Sequence, residues 1–112
     1  MKVLIAGAMG AIGKPLLSWL DDAGHELFAL VRSRKAADTR ERTGVHEVVA
    51  DALDAASVLD VVQHTKPDVI INELTSLPKH YTAEEMKAAA TRDKEVRVKS
   101  NANLLAAGRA TN

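Results

Sequence analysis

The apolar run Val3-Leu4-Ile5-Ala6 leads directly into three glycines spaced three residues apart, Gly7, Gly10 and Gly13. This pair of features constrains the fold more than any other part of the chain. A short run with no polar alternation suits a strand buried on both faces, as in the middle of a parallel sheet. Such a strand needs covering helices, and the glycine turn opens into helical periodicity. Ile12, Leu16, Leu20 and Ala23 recur at helical spacing, with Leu17 and Trp19 beside them. Gly24 suits the residue just past that helix.

The same grammar continues along the chain. Residues 25–31 read as a second buried strand, residues 32–43 as a polar stretch with a short helix ended by Gly44, and residues 45–50 as a third strand. Asp54 is a plausible N-cap for a helix carrying Val58, Leu59, Val61 and Val62, and Lys66-Pro67-Asp68 stops it. Residues 69–71 form a fourth strand, and residues 74–81 form a loop containing Pro78. Thr82 to Glu85 fits a capping box, with Glu85 reaching back. The helix that follows extends to about Gly108, broken near residues 91–93, with Leu104, Leu105 and Ala107 on its later apolar face. Strands alternating with helices at this spacing predict a parallel sheet. Right-handed crossovers order its strands 3-2-1-4. The predicted class is therefore α/β, a Rossmann-type sheet.

Composition narrows the function. The 112 residues suit one domain, and 46% hydrophobic with 27% charged residues suits a globular one. Fifteen basic residues balance 15 acidic ones, which argues against a nucleic-acid partner. The absence of cysteine removes disulfides and cysteine-based zinc sites, and the four histidines show no paired spacing for a metal. No apolar run reaches the roughly 18 residues of a membrane span. A cytoplasmic location and no membrane partner are the resulting expectations.

Each glycine has a physical task. Gly7 permits a tight turn out of the strand, Gly10 lets the backbone approach a pyrophosphate, and Gly13 permits close packing of the first helix on the sheet. The helix N-terminus offers unpaired N–H groups to the phosphates, with Met9, Ala11 and Ile12 as further contacts. The competing reading is an ordinary glycine-rich turn with no ligand. Residues after the second strand choose between NAD and NADP. Residues 32–42 hold five cations (Arg32, Arg34, Lys35, Arg40, Arg42) against Asp38 and Glu41. A guanidinium can grip a phosphate with two parallel hydrogen bonds. Arg32, helped by Ser33 and Lys35, is thus the candidate 2′-phosphate reader. The expected cofactor is NADP rather than NAD. Arg34, Arg40 and Arg42 read as solvated charges.

Here the first two glycines are separated by two residues, giving G-x-x-G-x-x-G. With residues 3–13, Leu16, residues 23–27, Asp51-Ala52-Leu53-Asp54, residues 67–71 and residues 103–107, the chain resembles the N-terminal half of an extended or atypical short-chain dehydrogenase/reductase. The NAD-dependent epimerase/dehydratase and NmrA-like groups are of this type. The resemblance implies hydride transfer with NADP on a carbonyl, hydroxyl or nucleotide-sugar substrate. It implies that Asp51 accepts from the adenine amino group, with the Ala52 backbone nearby, although a cap or turn carboxylate is an equal reading. It places residues 72–75, Leu74 among them, along the nicotinamide-side ribose. Relatives usually have small residues there, whereas this chain has Glu73, Leu74 and Thr75.

The family's proton-transfer dyad, a tyrosine with a lysine four residues later, has no match. The single tyrosine, Tyr81, is followed four residues on by Glu85, whose charge would raise a tyrosine pKa. No catalytic residue is assigned. Residues 1–112 are expected to be a half domain, incomplete relative to the family and inert alone, truncated after the fourth strand and its following helix. The alternatives are an NmrA-like dinucleotide sensor, or a self-associating fragment with no ligand. The uncovered fourth strand, Val69-Ile70-Ile71, predicts a homo-oligomer through that edge.

Overall fold

The structure, a computed structural model, describes residues 1–33, 44–78 and 80–111. Its elements are β1 (Lys2–Ala6), α1 (Gly13–Asp22), β2 (Glu26–Val31), β3 (Val45–Val49), α2 (Ala55–Thr65), β4 (Val69–Asn72) and α3 (Ala83–Thr111). The sheet is parallel in the order β3-β2-β1-β4, as the alternation of strands and helices predicts. The short helix expected within residues 32–43 falls almost wholly outside the described residues, and Lys35 lies there too.

The unbroken apolar run of β1 has a direct cause. Successive side chains point to opposite faces, and both faces are covered. Val3 and Ile5 join Leu27, Ala29 and Val45 in one cluster, against which Leu17 and Leu20 of α1 pack. Leu4 and Ala6 join Leu30, Val58, Val62, Leu104 and Ala107 in the other, beneath α2 and α3. Residues 3–6 are all buried.

The helix ends obey local chemistry. Asp54 caps α2, its side chain accepting from the N–H groups of Ala56 and Ser57. Lys66, at φ 47°, closes α2 in the left-handed conformation before Pro67. Thr82 Oγ1 accepts the Glu85 N–H at 3.1 Å. The predicted return bond from the Thr82 N–H to Glu85 does not form, and Glu85 Oε2 lies buried without a hydrogen-bond partner.

Two helix expectations need correction. The last helix does not break near residues 91–93 but runs unbroken for 29 residues. No glycine or proline interrupts it there, and Asp93 is paired one turn on with Arg97 at 2.9 Å. It continues past Gly108, where a Cβ would sit 3.4 Å from Ile70 Cδ1, an ordinary contact. Ile12 does not belong to the buried stripe of α1. It stands at the N-cap position and is 65% exposed.

Candidate functional site

The glycine turn sits at the C-terminal edge of the sheet, where β1 hands over to α1. Gly7 adopts φ +80°, a left-handed conformation that side chains resist. A Cβ there would also lie 2.6 Å from the carbonyl carbon and oxygen of Glu73. The turn after β1 and the segment after β4 therefore pack backbone to backbone. The Gly10 N–H donates to the Gly7 carbonyl at 3.1 Å and closes the turn. Gly13 is buried, and a Cβ on it would strike the Gly7 carbonyl oxygen and the Ala8 backbone. Its close contact is thus with the turn itself, not with the sheet as the sequence suggests.

Gly10 is different. The sole neighbour of a Cβ placed there is the Gly7 oxygen at 3.4 Å, and the residue is exposed. Beyond it, α1 begins at Ile12 with no side-chain cap and no acidic residue in its first turn. Among the described residues α2 and α3 differ: Asp54 caps α2, and Thr82 caps α3, whose first turn carries Glu84 and Glu85. In the first turn of α1 the Lys14 N–H donates to the Gly10 carbonyl at 3.0 Å and Pro15 has no N–H, so the donors and partial positive charge left to a ligand are those at Ala11, Ile12 and Gly13, beside Met9.

Parallel pairing puts the other candidates on the same edge. Ala6 is level with Leu30 of β2 and Asn72 of β4, and Val31 is level with Val49 of β3. Arg32 and Ser33 follow β2 and are exposed. Among the described residues, Arg32 makes no salt bridge. Asp51, past β3, accepts the Leu53 N–H at 3.0 Å through Oδ1, and its own N–H donates to Ser57 Oγ at 3.1 Å. This is the geometry of the turn-carboxylate reading. The Ala52 carbonyl is taken by Asn103 Nδ2 at 2.9 Å. Leu74 is half-buried, packs on the core and donates its N–H to Asn72 Oδ1 at 3.0 Å.

Two concavities lie beside β4 and α3. A groove of about 660 Å³ runs along the open side of β4, between Val62, Ile70, Leu104 and Arg109. A second hollow of about 620 Å³ is lined by Glu73, Leu74, Arg97 and Val98. The glycine turn is an open helix end, and anions are held at such ends by donors rather than by enclosure. Two residues that shape this edge, Asp93 and Ser100, escape a motif search, and the bond from Asn72 to Ser100 escapes it too. One legible signal exists for Ser100: it is the polar member of the buried stripe Val96, Ser100, Leu104, Ala107.

Among the described residues no three potential metal ligands cluster, and no helix is long and apolar enough to cross a membrane. Tyr81 is 73% exposed.

The model of the NAD dependent epimerase/dehydratase family matches residues 3–112. A 3-diazoavenalumate denitrifying reductase from a Streptomyces species is 38% identical over 110 residues, which are 98% of this chain and 34% of that protein. UDP-glucose 4-epimerase from Thermus thermophilus, solved with NAD, superposes with a TM-score of 0.76 at 26% identity, covering 99% of this chain and 34% of the enzyme. The Brucella ovis UDP-glucose 4-epimerase, also solved with NAD, shares the fold with a TM-score of 0.77 at 23% identity, covering 98% of this chain and 32% of the enzyme. The chain spans about a third of the length of these relatives.

Proposed function

Because the chain belongs to the NAD dependent epimerase/dehydratase family, we propose that it binds a nicotinamide dinucleotide, NADP in preference to NAD, across the C-terminal edge of its sheet. One observation carries this reading: an uncapped helix N-terminus stands directly beyond the unobstructed Gly10. The pyrophosphate lies over Gly10 and takes N–H groups of Ala11, Ile12 and Gly13, with Met9 alongside. Gly7 and Gly13 lock the turn that presents them. Arg32 grips the 2′-phosphate with Ser33, and Lys35 adds charge. Asp51 and Ala52 border the adenine, although the Asp51 Oδ1 bond to Leu53 leaves chiefly its second oxygen for that task. Leu74 borders the nicotinamide-side ribose.

The bound dinucleotide would supply a hydride to, or accept one from, a carbonyl or hydroxyl carbon. This chain's part is to bind and orient it, and no proton-transfer group is assigned to these residues. The same surface would serve a non-catalytic sensor.

Titrating NADPH and NADH against the protein and its Arg32→Ala variant tests the cofactor choice. A charge-assisted phosphate contact predicts about 10- to 150-fold weaker NADPH binding in the variant, with NADH unchanged. Equal binding of both nucleotides, unaffected by the substitution, would remove the NADP assignment.

A second reading is self-association through β4. It is supported by the position of β4 at the sheet edge and by the groove beside it, which leaves that edge open. Sedimentation over a wide concentration range tests it, and a strictly monomeric protein with cooperative unfolding would sink it.

A further inference from the structure

The segment after β4 is held from behind by α3. Asn72 closes β4, and its Nδ2 donates to Ser100 Oγ at 3.1 Å. Ser100 is fully buried, so each of these polar groups answers the other's need for a partner. The other end of the Asn72 amide, Oδ1, accepts the Leu74 N–H at 3.0 Å. Further on, the Ser76 N–H donates to Asp93 Oδ1 at 2.7 Å, and Asp93 Oδ2 accepts from Arg97 Nε at 2.9 Å. Side chains therefore fix the path of residues 73–76 at both ends.

The front of this segment faces the glycine turn. The Glu73 N–H donates to the Ala6 carbonyl at 2.8 Å, and the Glu73 carbonyl occupies the place a Gly7 Cβ would take. Ligands of open parallel sheets lie in the crevice where strand order reverses, here between the ends of β1 and β4. With the 2′-phosphate reader beyond β2, the adenosine half lies on the β2 side and the nicotinamide half on the β4 side.

We infer that Asn72 and Asp93 are positioning residues, which fix residues 73–76 as the wall beside the nicotinamide half of the dinucleotide without touching it. The inference rests on the dinucleotide reading above. Its consequence is selective. Loosening the wall costs the whole dinucleotide affinity but spares a ligand that ends at the adenosine side, which a general loss of structure would not do.

The experiment measures, by calorimetry, the dissociation constants of NADPH and adenosine 2′,5′-bisphosphate for the parent protein and for Asn72→Ala, Asp93→Ala and Asp93→Asn. The two alanine variants should each weaken NADPH by about tenfold, the scale of one or two ordinary hydrogen bonds, and leave the bisphosphate unchanged. Asp93→Asn keeps an oxygen for the Ser76 N–H and should stay near the parent. If both ligands weaken together, or neither weakens, the inference is overturned. Should Asn72→Ala fail to fold, the two Asp93 variants decide the matter by the same ratio. A parent that binds the bisphosphate but not NADPH would overturn the inference alone, whereas a parent that binds neither ligand would overturn the dinucleotide reading and this inference with it.

Discussion

Alanine placed at Gly10 and at Gly13 should separate binding from folding. At Gly10 the added Cβ meets a single atom, the Gly7 oxygen at 3.4 Å, which is ordinary contact. The unfolded chain meanwhile loses freedom, so the variant should match the parent in stability or exceed it by up to about 1 kcal/mol. The same methyl group stands where a pyrophosphate would approach. Crowding of that kind costs about 1–3 kcal/mol, or about 5- to 150-fold in NADPH affinity. At Gly13 the Cβ falls on the Gly7 carbonyl oxygen and 2.8 Å from the Cα and carbonyl carbon of Ala8. These are backbone atoms, which cannot swing aside as a side chain would, so α1 or the turn must move. The cost should reach the upper part of the overpacking range, about 3 kcal/mol. That is a large share of the roughly 5–15 kcal/mol that holds a domain together. Urea denaturation read by circular dichroism gives the stabilities, and calorimetric titration gives the affinities. A Gly10→Ala variant that binds NADPH like the parent, or a Gly13→Ala variant that unfolds at the parent's urea midpoint, would show these roles of the two glycines to be wrong.

Two further substitutions test local physics. Asp54→Ala removes the acceptor for two N–H groups at the start of α2 and should cost about 1 kcal/mol, while Asp54→Asn should recover most of it. Thermal midpoints check this, and an unchanged midpoint for the alanine variant would contradict it. On α3, the Glu95 carboxyl sits below its ordinary value, first because Lys99 donates a hydrogen bond to it and then because of the Lys99 charge, with Arg92 adding less. A lowered pKa of this kind gives stability that is present above the ordinary carboxylate value and lost as pH falls through the lowered one. The pair is exposed, so the effect on stability is small. NMR titration of Lys99→Gln should show Glu95 returning upward, and an unmoved titration would rule out this cause.

The parts of the fold that depend on neighbours in sequence were legible. The four-residue apolar run of β1, the alternation of strands and helices, and the Asp54 cap all act locally or through topology rules. The sheet order follows from them. Gly7 was assigned a tight turn, and its positive φ matches that task. What could not be read depends on contacts between distant residues. Asn72 and Ser100 meet across 28 positions, and no periodicity announces that pair. The polar stretch Thr91-Arg92-Asp93-Lys94 looks like a helix break because it carries no apolar face. In the fold, Asp93 is anchored to Ser76 on the loop and to Arg97 on its own helix, and the helix passes through. Ile12 matches the apolar spacing of α1 but stands at its N-cap, so a side chain of core type lies in solvent beside the proposed phosphates. Gly13 was understood as a small residue in a tight place, but the tight place is the turn and not the sheet.

In the proposed complex the dinucleotide lies with its phosphates on the glycine turn. Backbone amide resonances followed during an NADPH titration test it residue by residue. Saturable shifts are expected, largest at residues 9–13 and at Arg32 and Ser33, smaller at residues 73–75, and all lost in Gly10→Ala. No saturable shift, or shifts confined to the groove along β4, would contradict it.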